Sequence, residues 1–361
     1  MMISTLHNLH VSLSKRPYVT RLCLLTVLLS GIAGNSLFSM LRARPYPVLS
    51  TANWANETPQ YPNHRPYHWL ANGDIAYLKR GPDGKFQVCY QHMGEHGPSG
   101  ALRYGPVLPS QAIASRFYPS PDERWVAYDT ASPTFQYRAY LISADGKNVR
   151  SASPLGETFA LWLSDNRSFL TDHPETRDVM VRHLDSPRTA TIPDHRSQCG
   201  PVVVSSLSIG PQFLIGGSFG ISHATDVFMR NSPLMLFRSY CVSQPDVAQQ
   251  TWMVPVPTEV DEGQAYVSPD QQHVLWITYG WKHPPMIQWL HDRIPWWRNA
   301  PRPILNELTF YCFLSDLHGN HRHLILNNLS VGLHGAYPVW TPDSKHLSFI
   351  DKGQLFLVAV D

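Results

Sequence analysis

The chain has 361 residues, 43% of them hydrophobic and 11% aromatic, enough to bury a full core. Its 31 prolines suit a turn-dense β protein better than a helical one. A formal charge of +2, with Lys and Arg scattered and no basic stripe, excludes an electrostatic case for nucleic acid.

Residues 1–21 are expected to be a cytoplasmic N-terminal segment, carrying Lys15, Arg16 and Arg21 before the apolar run. The uncharged run LCLLTVLLSGIAGNSLFSML (22–41) comes next and is about long enough to span a bilayer. Positive charge before an apolar run holds the N-terminus inside and delivers the downstream domain to the periplasm or exterior. A cleavable signal would use Leu22 to Ala33, with Gly31 and Ala33 as the small residues; an uncleaved anchor would use the whole run to Leu41. Apolar residues continue past the cleavage position, which favours a membrane anchor, whereas cleavage would give a secreted protein. A Pro- and Asn-rich tether occupies 42–66, with strand character over Tyr46 to Thr51.

From residue 67 onward one short pattern recurs. It is clearest as SPDERWVAY (120–128) and reappears as WLANGDIAY (69–77), WLSDNRSFL (162–170), SPDQQHVLWI (268–277) and WTPDSKHLSFI (340–350). Trp69, Trp162 and Trp340 stand three positions before Asn72, Asp165 and Asp343; Asp122 and Asp270 fill the same place in the other copies. A turn Asp can accept a backbone N–H two residues on, and alternation beyond it reads as a hairpin of half-buried strands. The copies lie roughly 40–50 residues apart, the spacing of propeller blades with about four short strands each. The step from Asp165 to Asp270 holds two units, the divergent one being VVVSSLSIGPQFLIGG (202–217); the step to Asp343 holds one unit with an insertion. The expected fold is all-β: a six-bladed propeller, or seven, over 67–361, behind one transmembrane or signal helix. Its last unit ends at LFLVAVD (355–361) one strand short, so Tyr46 to Thr51 is expected to pair beside Gln354 to Val360 and close the ring.

On these residues the chain resembles the TolB-like (WD-like) β-propeller repeat, whose pattern runs apolar-Trp-Ser-Pro-Asp-Gly with a later strand closing in Asp-x-x-Gly. ISADGK (142–147) and SDLHGN (315–320) are further matches. The usual Gly is replaced by Glu123, Asn166, Gln271 and Ser344. The resemblance implies a fold more than an activity, because that family includes binding modules, scaffolds and enzyme appendages.

Cys89, Cys199, Cys241 and Cys312 are an even number in an exported domain, so disulfides are weighed. Cys89, Cys241 and Cys312 occupy similar third-strand places in different blades, too far apart for a bridge, and read as buried small hydrophobes. His92 with His96, and His318, His321 and His323, cluster in loops without a third-ligand pattern, so no metal or cofactor is expected. Gly216 to Gly220 satisfies the G-x-S-x-G elbow around Ser218, with Asp316 and His334 in the order of a hydrolase. Nothing alternates strand with long helix, and glycines turning between strands account for the match.

The candidate site is the insertion WKHPPMIQWLHDRIPWWRNAPRPILNE (281–307), between the second and third strands of the fifth unit. The next longest connection of this type comes after Gly217 in the neighbouring unit. Trp281, Trp289, Arg293, Trp296, Trp297 and Arg298 are residue types that dominate binding hot spots. A structural plug of the propeller channel and a membrane-interface belt are the competing readings. The function expected is a non-catalytic protein- or ligand-binding scaffold of the cell envelope; the alternative is a propeller enzyme of lyase, lactonase or hydrolase type with its site at the channel mouth. The two differ in the side chains gathered at the mouth: carboxylates and His for an enzyme, aromatics and Arg for a binding face.

Overall fold

The computed structural model describes residues 46–50, 54, 66–94, 97–132, 136–173, 178–192, 201–203, 212–217, 234–255, 263–280, 309–330, 336–351 and 353–360. Among them no helix is long and apolar enough to cross a membrane; the expected signal or anchor helix at 22–41 lies outside the described residues.

The described chain is an all-β propeller. Blade one comprises β2 (Tyr67–Trp69), β3 (Asp74–Arg80), β4 (Phe86–Gly94) and β5 (Gly97–Leu108). Blade two comprises β6 (Ala112–Pro119), β7 (Trp125–Ala131), β8 (Tyr137–Ser143) and β9 (Val149–Ser151). Blade three has β10 (Thr158–Trp162), β11 (Ser168–Asp172), β12 (Val179–His183) and β13 (Ser186–Ile192). Blade four is β14 (Pro201–Val203), β15 (Gln212–Gly217), β16 (Leu234–Cys241) and β17 (Gln244–Pro255). Blade five is β18 (Gly263–Val267), β19 (His273–Gly280), β20 (Thr309–Asp316) and β21 (His323–Ser330). Each of these five is an antiparallel meander of four consecutive strands.

A further four-stranded sheet is composite. β22 (Ala336–Trp340), β23 (His346–Asp351) and β24 (Gln354–Ala359) come from the chain's far end, and β1 (Tyr46–Ser50) completes the order β1-β24-β23-β22. The count of contiguous blades is therefore five, not the six or seven read from repeat spacing; the last sheet, three strands from the chain's far end, reaches four only because β1 pairs with β24, Tyr46 opposite Leu357 and Ser50 opposite Gln354. This sheet packs on blade one: Val48, Trp54, Tyr67, Trp69, Ile75 and Tyr77 share one core with Val339, Ile350, Leu355 and Leu357. Trp54 stacks on Tyr77 at 4.4 Å between ring centroids, so the tether is pinned at that point.

The repeated motif does two jobs. Its Asp closes the turn: Asp122, Asp165, Asp270 and Asp343 each accept the N–H two residues on, from Arg124, Arg167, Gln272 and Lys345 at 3.2, 3.0, 3.0 and 2.9 Å. The next residue must then turn left-handed, and Glu123, Asn166, Gln271 and Ser344 have φ of 60°, 58°, 60° and 60°, with Gly73 at 84° in the first copy. Its Trp ties blades together. The Trp162 indole N–H donates to the Tyr118 carbonyl of blade two at 2.7 Å, and that of Trp340 to the Tyr266 carbonyl of blade five at 3.2 Å. Trp69 donates to Ser348 Oγ at 2.7 Å, across the junction between blade one and the closing sheet.

The second strands are not half-buried as the alternation suggested. β7, β11 and β23 are buried on both faces through their middles, because each blade is sandwiched between two others. Outer strands such as β9 and β13 stay largely exposed.

Candidate functional site

In a meander the first-to-second hairpins and the second-to-third connections leave opposite edges of the blade. The repeated Asp turns define a turn edge and the other connections a loop edge. Blades four and five pack together through Phe237 and Val254 against Ala265, Val267, Val274 and Trp276. The 218–233 connection leaves blade four after Gly217, and the 281–308 connection leaves blade five after Gly280. Both therefore spring from the loop edge of two packed neighbours. Trp281, Trp289, Arg293, Trp296, Trp297 and Arg298 themselves lie outside the described residues.

The hydrolase motif is disposed of by its strand. Gly216 and Gly217 belong to β15, antiparallel to both β14 and β16, whereas a nucleophile elbow needs a parallel sheet leading into a helix. Ser218 and His334 lie outside the described residues. Cys89 and Cys312 are buried free thiols on the third strands of blades one and five, and Cys241 is a partly exposed free thiol on that of blade four; Cys199 lies outside the described residues. Burial pushes the Cys89 thiol up to about 11, which makes it unreactive near neutral pH. His96 is outside the described residues; His318, His321 and His323 flank the hairpin between β20 and β21. Among the described residues no three His, Cys, Asp or Glu are grouped to hold a metal.

Two polar constellations are not legible in the sequence. The first bridges blades one and two at the turn edge. The Asp74 carboxylate, 5% exposed, faces His92 Nδ1 at 2.6 Å and accepts from the Arg103 guanidinium. Arg103 also donates to both oxygens of Glu123 in the blade-two turn, at 2.5 and 2.9 Å. The hydrogen bonds to Glu123 raise the Arg103 pKa further above its ordinary value, so the fork is a permanently charged clip between two blades.

The second lies between blades two and three at the loop edge, above an apolar seam of Ala127, Ala139, Leu141, Phe159, Trp162 and Phe169. Asp129 of β7 is fully enclosed; its Oδ1 accepts the Phe159 N–H of blade three at 3.0 Å. Its Oδ2 faces an Arg116 guanidinium nitrogen of β6 at 3.5 Å, and Arg116 stacks on the Tyr137 ring at 4.3 Å. On the blade-three side Glu157 takes a fork of bonds from Arg182, the shortest 2.7 Å, and a 2.7 Å bond from Thr171 Oγ1. Thr158 Oγ1 donates to Asp172 at the end of β11. Desolvation pushes the Asp129 carboxyl up to about 7 and moves Asp172 upward as well. The signal in the sequence was a charged residue inside an apolar strand, as in WVAYDTA and SFLTD; strands apart by tens of residues had to be stacked before those charges met.

No protein-family model matches the chain, and no curated protein matches it. Solved structures similar to it include a putative TolB from Agrobacterium tumefaciens, at 13% identity and TM-score 0.45, covering 81% of this chain and 88% of that one. TolB from Acinetobacter baumannii is similar at 11% identity and TM-score 0.43, covering 80% of this chain and 64% of that one. A chain of the mitotic checkpoint complex is similar at 10% identity and TM-score 0.48, covering 88% and 95%. The assignment of the propeller architecture rests on the order of strands within the sheets.

Proposed function

We propose that this propeller is a non-catalytic binding protein of the cell envelope, held to a membrane by residues 22–41, which engages a protein or small-ligand partner through the 218–233 and 281–308 connections. The observation that carries the reading is the rooting of both connections at the loop edge of two packed blades. Residues 281–298 of the longer one supply Trp281, Trp289, Arg293, Trp296, Trp297 and Arg298, types that concentrate binding energy when desolvated at an interface. The carboxylates that do converge at this edge, Asp129, Glu157 and Asp172, lend less to an enzyme reading, since each is engaged by an Arg, a hydroxyl or a backbone N–H within the blade seam.

The test is the triple replacement of Trp289, Trp296 and Trp297 by Ala in the full chain. Partners captured by cross-linking and pull-down from the source cell envelope should be lost, with an unchanged melting midpoint. Retention of every partner recovered by wild type makes the insertion structural, and a lowered midpoint identifies it as a plug. Membrane anchoring is checked by fractionation: the full chain should pellet with membranes and resist carbonate extraction.

A further inference from the structure

We propose that the polar cap between blades two and three is a proton-binding joint, closed while it holds one proton and loosened when that proton leaves. Its charges do not balance without one. Three carboxylates (Asp129, Glu157, Asp172) meet two guanidiniums (Arg116, Arg182) in a contact that is buried or nearly so. With one carboxyl protonated the cap is neutral. With none protonated the two guanidiniums leave one negative charge unbalanced, and an uncompensated buried charge is strongly unfavourable.

Hydrogen bonding identifies where the proton sits. Glu157 has both oxygens occupied by Arg182, one of them also by Thr171. Asp172 accepts from Thr158. Asp129 is wholly enclosed, and its Oδ2 has only the Arg116 guanidinium, at the long distance of 3.5 Å, to offset the loss of water. An anion in that position has lost its hydration with little to replace it, whereas protonation removes the charge and leaves only a neutral O–H to bury, a much smaller cost. The upward displacement of Asp129, to about 7, agrees with this placement and sets the working range near neutrality. Burial displaces Asp172 in the same direction, and its charge adds a smaller upward push on Asp129.

Both blades contribute groups that face the cap. Arg116 on β6 and Tyr137 on β8 belong to blade two with Asp129. Glu157 before β10, Thr171 and Asp172 on β11 and Arg182 on β12 belong to blade three. The His173 imidazole, just after β11, lies against Gly156, its Nε2 3.1 Å from where a Cβ would stand. The cap sits where β7 and β11 end, at the loop edge, so water reaches an ionised Asp129 by parting those strand ends while the apolar seam below stays shut. Loosening is therefore local, and the single bond from the Phe159 N–H to Asp129 is the first link between the blades to feel it.

Hydrogen exchange of the full chain, corrected for intrinsic pH dependence, reads the joint directly. Peptides covering 112–131 and 156–173 should be several-fold more protected at about pH 6 than at about pH 8, while peptides from blade five change little. Asp129→Asn, which keeps the acceptor for Phe159 and removes the charge, should give the same protection at both. Arg116→Gln, which removes a cation, should move the transition to higher pH. Infrared difference spectra of wild type between these pH values should show the loss of one buried carboxylic acid. Exchange in Asp129→Asn that still follows pH as in wild type overturns the proposal, and so does a wild type without pH-dependent protection. If Asp129→Asn does not fold, a wild-type difference spectrum lacking the carboxylic acid band overturns it instead.

Discussion

At the scale of single residues the repeats depart from their pattern at a position that carries a conformational cost. Glu123, Asn166, Gln271 and Ser344 all stand where φ is near +60°, a region that costs an L-residue on the order of 1 kcal/mol relative to Gly. Glu123 and Ser344 have partners there: Glu123 holds Arg103, and Ser344 Oγ accepts the Asp270 N–H at 3.0 Å. Gln271→Gly is the cleaner test and should stabilise the domain by about 0.5–1 kcal/mol after the added chain entropy of Gly, read as a higher urea midpoint with unchanged m-value. The Trp of the motif acts in the other direction. Trp162→Phe leaves the Tyr118 carbonyl without its 2.7 Å donor and should cost about 1–3 kcal/mol, measured the same way. Asp129 gives a pH dependence whose sign is fixed. Its carboxyl titrates near 7 folded and near 3.9 unfolded, so the folded state binds more protons across that window. Its contribution is most favourable at the acid end and is lost as pH rises through about 7. Urea unfolding at a series of pH values should therefore show Asp129→Asn gaining on wild type from pH 4 to 8, with a constant difference above that.

At the scale of elements the strand pattern was legible and the burial was not. Pro-Asp turns and apolar runs marked the hairpins, and the Asp side chains do close those turns. The alternation implied one wet face per strand, yet β7 and β11 are buried on both. A strand cannot report how many neighbours its sheet will have, and in a propeller every sheet has two. The closing element is β1, five residues whose Val48 enters the core shared by blade one and the last sheet. Deleting residues 45–52 exposes the outer edge of β24 and opens that core. With a core truncation costing about 2–5 kcal/mol, and each 1 kcal/mol worth about 2–4 °C in a large domain, the melting midpoint should fall by roughly 4–20 °C. An unchanged midpoint would show that the ring does not depend on β1.

For the whole molecule, local chemistry and ring geometry divide the information between them. The sequence by itself determined the turn positions, the Trp that recurs before each turn, the strand character of 46–51 and the insertion at 281–307, because each depends on residues within a few positions of one another. The closing of the last sheet by 46–51 was also legible, since that unit ends one strand short, and β1 does pair with β24. Only the tertiary structure decided that Trp69, Trp162 and Trp340 reach across to the preceding sheet, and that Asp129, Glu157 and Asp172 meet around two guanidiniums. These contacts join residues from 13 to 279 positions apart. Their partners are chosen by which blade faces which, and no short-range pattern encodes that.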